Sequence, residues 1–279
     1  MKRIATIQDL SCVGKCSLAA ALPVISAAGI ECCGIPTALL SNHTGFSSFY
    51  LRDLTEELDP IAEQFGRLGI TFDAVYTGYI ASSAQMDIIS DLIDRLGGDN
   101  ALIFVDPVMG DNGKLYPAIT PDYAEKMRKL CAKADIIVPN LTEAYLLTGK
   151  EYAPAPSNDD IKNLLRELRT LGPSKVVITG AFDKIGDTGA MGFDGTDFCE
   201  CYTPRESISC SGTGDMFASA LLGAVMRGKS FSAAVTTAVK FTYEAVKKTL
   251  ADPTRRDYGV NFEEALPLYI RLLEENENG

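Results

Sequence analysis

Short apolar runs and amphipathic stretches take turns along most of the chain. Residues 3–8 (Arg-Ile-Ala-Thr-Ile-Gln) read as a buried strand, and Gly14 to Ala28 as a helix. Residues 30–39 return to a strand pattern, with Pro36 expected to interrupt the ladder because proline has no N–H to donate. The polar loop Ser41-Asn42-His43-Thr44-Gly45-Phe46 follows, then a helix over 53–67, a strand over 72–79 and a helix over 84–96. Ala101-Leu102-Ile103-Phe104-Val105 is a continuous apolar run of the kind a central parallel strand shows. The order continues with a helix over 121–133, a strand over 135–138, helices over 141–148 and 158–171, and a strand over 174–180. Such alternation predicts a mostly parallel sheet covered by helices on both faces, a three-layer α/β/α sandwich.

The pattern changes at 187–203, where short strands around Asp194-Gly195 predict an antiparallel hairpin at the sheet edge. Helices over 213–227, 230–248 and 262–274 close the chain, and the polar residues 274–279 are expected to fray. No repeat, linker or low-complexity segment divides the sequence, so residues 1–279 are expected to form one domain.

Composition narrows the partners. The net charge is −11, without a basic run, which disfavours nucleic acid. No apolar run reaches the roughly 18 residues that a membrane span needs. The N-terminus enters a strand pattern directly and lacks the apolar core of a secretion signal, so a cytoplasmic location is expected. Eight cysteines in such a chain are expected to be reduced thiols. Cys12 and Cys16 have no second pair nearby, and His43 is the single histidine, so a zinc site is not expected.

Polar groups follow the predicted strand ends: Gln8-Asp9, the Ser41–Phe46 loop, Tyr79, Asp106 to Tyr116, Asn140 to Glu143, Thr179-Gly180 and the turn Gly212–Asp215. Ligands of parallel sheets bind outside the carboxyl ends of the strands. The stretch Ser209 to Ala218 leads from a polar segment into an apolar helix pattern through Gly212-Thr213-Gly214-Asp215. Its glycines permit a tight turn with bare N–H groups, and the helix directs its positive end to the same place. This makes an anion seat, with Asp215 beside it as a base. The competing reading is an ordinary helix cap by Thr213 or Asp215.

Two familiar phosphate templates fail. Gly14-Lys15-Cys16 lacks the first glycine and the Ser/Thr of a P-loop. Gly212-Thr213-Gly214 has Phe217 where the dinucleotide fingerprint needs its third glycine. Acids after the strands, Asp106, Asp111 and Glu143, suit Mg²⁺ and a nucleotide's phosphates, directly or through water. Capping of turns and of a helix start is the alternative for Asp111 and Glu143.

Taken in order, several motifs resemble the ribokinase-like superfamily, and within it the vitamin B6 kinases. They are Thr6-Ile7-Gln8, Ser41-Asn42-His43-Thr44-Gly45, Thr77-Gly78-Tyr79, Asp106-Pro107-Val108-Met109-Gly110-Asp111, Pro139-Asn140-Leu141-Thr142-Glu143, Val177-Ile178-Thr179 and Gly212-Thr213-Gly214-Asp215. The resemblance covers nearly the whole length. It implies ATP-dependent phosphorylation of a hydroxymethyl group on a pyridine ring, with Asp215 as the catalytic base and the amides of Gly212, Thr213 and Gly214 around the transferring phosphoryl. It links Asp111, Asn140 and Glu143 with Mg²⁺ and its water shell, Thr179 with a nucleotide phosphate, and the segment Asp111–Tyr116 with a flap over ATP. It puts Thr44 and Tyr79 in the vitamer pocket, with His43 adjacent. It further implies a homodimer, and K⁺ as well as Mg²⁺.

Asp9 departs from the pattern, since many pyridoxal kinases carry serine there. A carboxylate at this position can pair with a protonated amine or a ring nitrogen, and the expectation is a preference for pyridoxamine over pyridoxal. The nearest rival is hydroxymethylpyrimidine (phosphate) kinase, which shares the fold and the glycine turn. A non-catalytic vitamer-binding protein is a rival of another class, disfavoured by the coexistence of Asp215 and the Gly212–Gly214 turn. A redox role would need a Cys-x-x-Cys pair, which Cys12 and Cys16 do not form. Cys210 lies close to the turn.

Overall fold

The structure is a computed structural model that describes residues 1–98, 100–116, 119–182, 186–208 and 210–275. Ser209 and the terminal residues 276–279, where fraying was expected, lie outside the described residues. Apolar runs become β1 (Arg3–Ser11), β2 (Glu31–Leu40), β4 (Ala74–Thr77), β5 (Leu102–Val105), β8 (Ile136–Ile137) and β9 (Lys175–Ala181). These pair in parallel, with β2 beside β1, then β4, β5, β8 and β9. β10 (Asp187–Phe193) and β11 (Phe198–Pro204) add the expected antiparallel hairpin to one edge. Its turn closes with the Asp194 N–H on the Asp197 carbonyl.

Side-chain alternation sorts the strands onto two cores. Ile4, Tyr76, Phe104, Ile136 and Val177 face α1 (Leu18–Ala27), α7 (Thr213–Met226), α8 (Phe231–Ala251) and α9 (Leu266–Glu274). Ile7, Val75, Val105, Ile137 and Ile178 face α2 (Thr55–Arg67), α3 (Ser83–Gly97), α4 (Pro121–Cys131), α5 (Leu141–Thr148) and α6 (Asn158–Arg169). The last of these shows the logic clearly: Ile161, Leu164, Leu165 and Leu168 form one buried stripe, and Ser157 with Asp160 close a capping box at its start.

Several boundaries differ from the sequence reading. The first helix starts at Leu18 instead of Gly14, because Gly14 (φ 129°) and Ser17 (φ 48°) turn the chain before it can coil. β2 continues past Pro36, but the ladder does shift register there: Gln8 pairs with Pro36 and Leu10 with Leu39, so β2 carries one extra residue just after the proline. An unanticipated strand, β3 (Leu51–Asp53), pairs antiparallel with β2 and ends the nine-stranded sheet. A small hairpin of β6 (Gly110–Asp111) and β7 (Lys114–Leu115) stands apart from the sheet. The final predicted helix begins as a 3₁₀ turn over Phe262–Glu264.

Because β2 lies on one side of β1 and β4 on the other, the strand order reverses at β1. That reversal opens a crevice at the carboxyl ends of β1 and β4. No helix among the described residues is long and apolar enough to cross a membrane.

Candidate active site

At the crevice, α7 starts without a side-chain cap: Gly212 takes the N-cap place in the left-handed region (φ 80°). The Thr213 hydroxyl donates to the Cys210 carbonyl at 3.3 Å. Gly212 leaves the N-cap place of this 14-residue helix without a side-chain oxygen, while the Asp215 carboxylate is drawn to its own N–H and to that of Ser17. Glycine is obligatory at 212 for two reasons. Its φ is positive, and a Cβ there would lie 1.8 Å from the Lys15 carbonyl oxygen. Gly214 has open space around its Cβ direction. The Ser219 hydroxyl donates to the Asp215 carbonyl at 2.6 Å inside the helix.

Asp215 is half-buried, and burial lifts its pKa to about 6. The Ser17 backbone N–H pulls it back and the nearby Asp9 charge pushes it further up. Here the late start of α1 matters, since the turn before it supplies Ser17. Cys16 from the same turn has its thiol pushed up to about 12, first by burial and then by Asp215 and Asp9. Neither Cys16 nor Ser17 was a candidate from sequence. The Gly14-Lys15 near-match to a P-loop was the only local signal, and it pointed to other chemistry.

Several predicted pocket residues come together on one side of Asp215. Asp9 (6% exposed) and His43 (8% exposed) are buried, Tyr79 is half-buried, and the Asp9 charge acts on both the Tyr79 hydroxyl and Asp215. Burial raises the Asp9 pKa, while Ser17, Ser11 and His43 lower it. His43 accepts from the Gly45 N–H at Nδ1 (2.9 Å) and stands edge-on to Phe46, which stacks on Tyr258. Thr44 is exposed in the same loop.

The other side carries the acids. Asp106 (6% exposed) is raised well above the ordinary carboxylate range, by burial first and then by Glu143 and Asp215. Glu143 (3% exposed) is also raised by burial. Its two oxygens accept from the Met109 N–H (3.0 Å) and the Asn140 N–H (2.8 Å), the second completing a capping box at α5. The capping role is thus present in the fold, with lone pairs left on each oxygen. Asn140 donates from Nδ2 to the Gly110 carbonyl (2.9 Å) and forms a bridge with Thr179. Asp111 is exposed, accepting from the Asn112 N–H at 2.8 Å in the β6–β7 turn. Tyr116, 38% exposed, follows it, with its hydroxyl raised by burial and by Glu143, Asp111, Asp106 and Asp215.

Asp9, Asp106, Asp111, Glu143 and Asp215 form an electrostatically linked row across the crevice. None of them makes an ion pair among the described residues. Such a row attracts cations, one or more of which must accompany any anion seated on α7. No group of three or more His, Cys, Asp or Glu side chains among the described residues could hold a metal by itself. All eight cysteines are free.

The chain matches the family described as phosphomethylpyrimidine kinase over residues 14–257. It is 30% identical to the pyridoxal kinase of Arabidopsis thaliana, over 99% of this chain and 90% of that one. The pyridoxal kinase structure from Lactobacillus plantarum superposes with a TM-score of 0.91 at 32% identity, covering 98% of each chain. A Bacteroides thetaiotaomicron protein crystallised with pyridoxal gives 0.92 at 34% identity, covering 100% of this chain and 97% of that one. This chain belongs to the pyridoxal kinases of the ribokinase-like superfamily. For the pyridoxal kinase turn, the steric reading has a direct test. Gly212→Ala is expected to lower the melting temperature and to cut turnover by about 10²-fold or more, the scale of losing an anion-hole donor. Gly214→Ala is expected to leave the melting temperature unchanged, which differential scanning calorimetry checks.

Proposed function

We propose that this chain transfers the γ-phosphoryl group of ATP to the 5′-hydroxymethyl group of a vitamin B6 vitamer, giving the 5′-phosphate for pyridoxal 5′-phosphate salvage. The observation that carries the reading is Asp215, half-buried in the first turn of α7 and electrostatically linked with Asp9 and with Asp106. Asp215 takes the proton of the attacking hydroxyl. The amides of Gly212, Thr213 and Gly214 hold the phosphoryl as charge builds on its oxygens. The Tyr79 ring stacks on the pyridine, while Asp9, His43 and Thr44 surround its substituents.

On the other side, Asp111 and Tyr116 cover the nucleotide as a flap, and Asn140 and Thr179 meet its phosphates. Mg²⁺ fits this half, because a few carboxylates beside a phosphate seat, without a closed ligand cage, match an ion held mostly by phosphates and water. Asp111 and Glu143 are the residues that would hold it, through water in the case of Glu143, whose oxygens already accept backbone N–H groups. When bound, Mg²⁺ neutralises charge on the transferring phosphates. K⁺ follows from family likeness alone. A cytoplasmic location agrees with eight free thiols.

Homodimer formation also belongs to this reading. Leu39, Phe46, Phe49, Tyr50 and Leu51 are exposed along the β2–β3 edge, with Tyr50 at 66%. A contiguous apolar strip of this kind on an edge strand is a surface that proteins cover. Sedimentation equilibrium is expected to return twice the 30.0 kDa chain mass, and Tyr50→Glu to shift it toward the monomer.

A coupled ATP-consumption assay over pyridoxal, pyridoxamine, pyridoxine and hydroxymethylpyrimidine tests the activity, the last because the matched family bears the pyrimidine name. Asp215→Ala is expected to lower kcat by about 10²–10⁴. Near-full turnover in that variant sinks the mechanism for every substrate. Asp215 must be ionised to act, so kcat/KM of the wild type is expected to fall as pH drops through about 6. In the same assay, EDTA is expected to abolish turnover, and exchange of K⁺ for Na⁺ to reduce it.

A further inference from the structure

Asp9 is a buried charge without a countercharge. It is 6% exposed and forms no ion pair among the described residues. The hydrogen bond from the Ser11 hydroxyl to its Oδ2 is long at 3.4 Å. The elements packed against it bring hydroxyl donors from Ser11 and Ser17 but no lysine or arginine among the described residues. The turn before α1 contributes Ser17 and the neutral thiol of Cys16, the residue after β4 contributes the Tyr79 phenol, and α7 contributes a second carboxylate, Asp215. A buried carboxylate left in this state is costly, and a protein keeps one where a ligand completes it.

His43, also facing Asp9, completes the pattern. Its Nδ1 accepts from the Gly45 N–H, so in the neutral ring the proton sits on Nε2. Nε2 is buried and has no hydrogen-bond partner. The site therefore presents three functions: an unpartnered donor at His43, a carboxylate without a cationic partner among the described residues at Asp9 and the base Asp215, with Asp9 electrostatically linked to both of the others.

A pyridine with three adjacent substituents matches that set. Its substituents are chemically complementary to the three groups: an oxygen acceptor suits the His43 Nε2–H, a methylammonium suits Asp9, and a hydroxymethyl suits the base Asp215. Of the B6 vitamers only pyridoxamine carries the ammonium; pyridoxine has a neutral hydroxymethyl there and pyridoxal an uncharged aldehyde. We propose that Asp9 is the counter-ion of a substrate ammonium and makes this kinase select the amine vitamer over the alcohol and the aldehyde. The proposal rests on the vitamer-kinase reading above. Burial that raises the pKa of the empty pocket's Asp9 is reversed when the ammonium arrives.

The comparison of pyridoxamine with pyridoxine isolates the ammonium, since both offer the same 5′-hydroxymethyl group. Wild type is expected to show the higher kcat/KM for pyridoxamine. Asp9→Asn and Asp9→Ser are expected to lower the pyridoxamine/pyridoxine ratio by about tenfold or more, the scale of one lost hydrogen bond to a charged group. An unchanged ratio overturns the proposal, and so does an equal loss for both substrates, which would put Asp9 against the ring nitrogen they share. Thermal shift of the unmodified protein gives a reading without turnover or variants. Pyridoxamine is expected to raise the melting temperature more than pyridoxine at equal concentration, and equal shifts overturn the pairing. If no vitamer is phosphorylated while pyridoxamine still stabilises selectively, the kinase reading fails and the Asp9 pairing stands.

Discussion

Negative charge gathered on one rim of the sheet, with no lysine or arginine paired to it among the described residues, is the constraint on which the site depends. Asp9, Asp106, Glu143 and Asp215 are wholly or partly withdrawn from water, and each has its pKa raised. The fold tolerates this by directing backbone donors at the charges. Met109 and Asn140 N–H groups meet Glu143, and the Ser17 N–H meets Asp215. These donors moderate the repulsion without cancelling it. The remaining imbalance makes the empty site a poor stabiliser of the fold and a good receptor for cations that arrive with substrates, a common trade between stability and activity.

Positioning follows from the reversal of strand order at β1. It separates the helices that would otherwise crowd the strand ends, and the α7 turn fills the opening from above. Contact between Gly212 and the Lys15 carbonyl joins the first turn of the chain to the catalytic turn some two hundred residues later. The same region locks the aromatic side of the pocket, where Phe46 stacks on Tyr258 and the Lys15 N–H donates to the Tyr258 carbonyl. Small shifts in the early turn should therefore reach Asp215 directly, because backbone packs on backbone with no flexible side chain between.

Local signals carried much of the architecture. Continuous apolar runs marked the parallel strands, Asp194-Gly195 marked the hairpin, and the amphipathic pattern over 158–171 marked a helix. The misses share a cause. Leu51–Asp53 forms a strand only because the edge of β2 is there to pair with it. β2 runs on past Pro36 because the extra residue it carries before Leu39 takes up the break in register. The helix pattern from Gly14 to Ser17 is overridden by packing against Gly212, a contact between segments far apart in sequence.

For the site, residue types and order offered Asp215, the glycine turn and the acids after the strands as candidates with capping as the alternative, and the vitamer pocket came from the family resemblance. Whether Thr213 or Asp215 caps α7, whether Glu143 is occupied by its own helix, and which neighbours share the burial of Asp9 are questions about distance. Sequence alone determined which groups were available. Only the tertiary structure decided which charges face one another without compensation, since burial and proximity arise when remote segments meet.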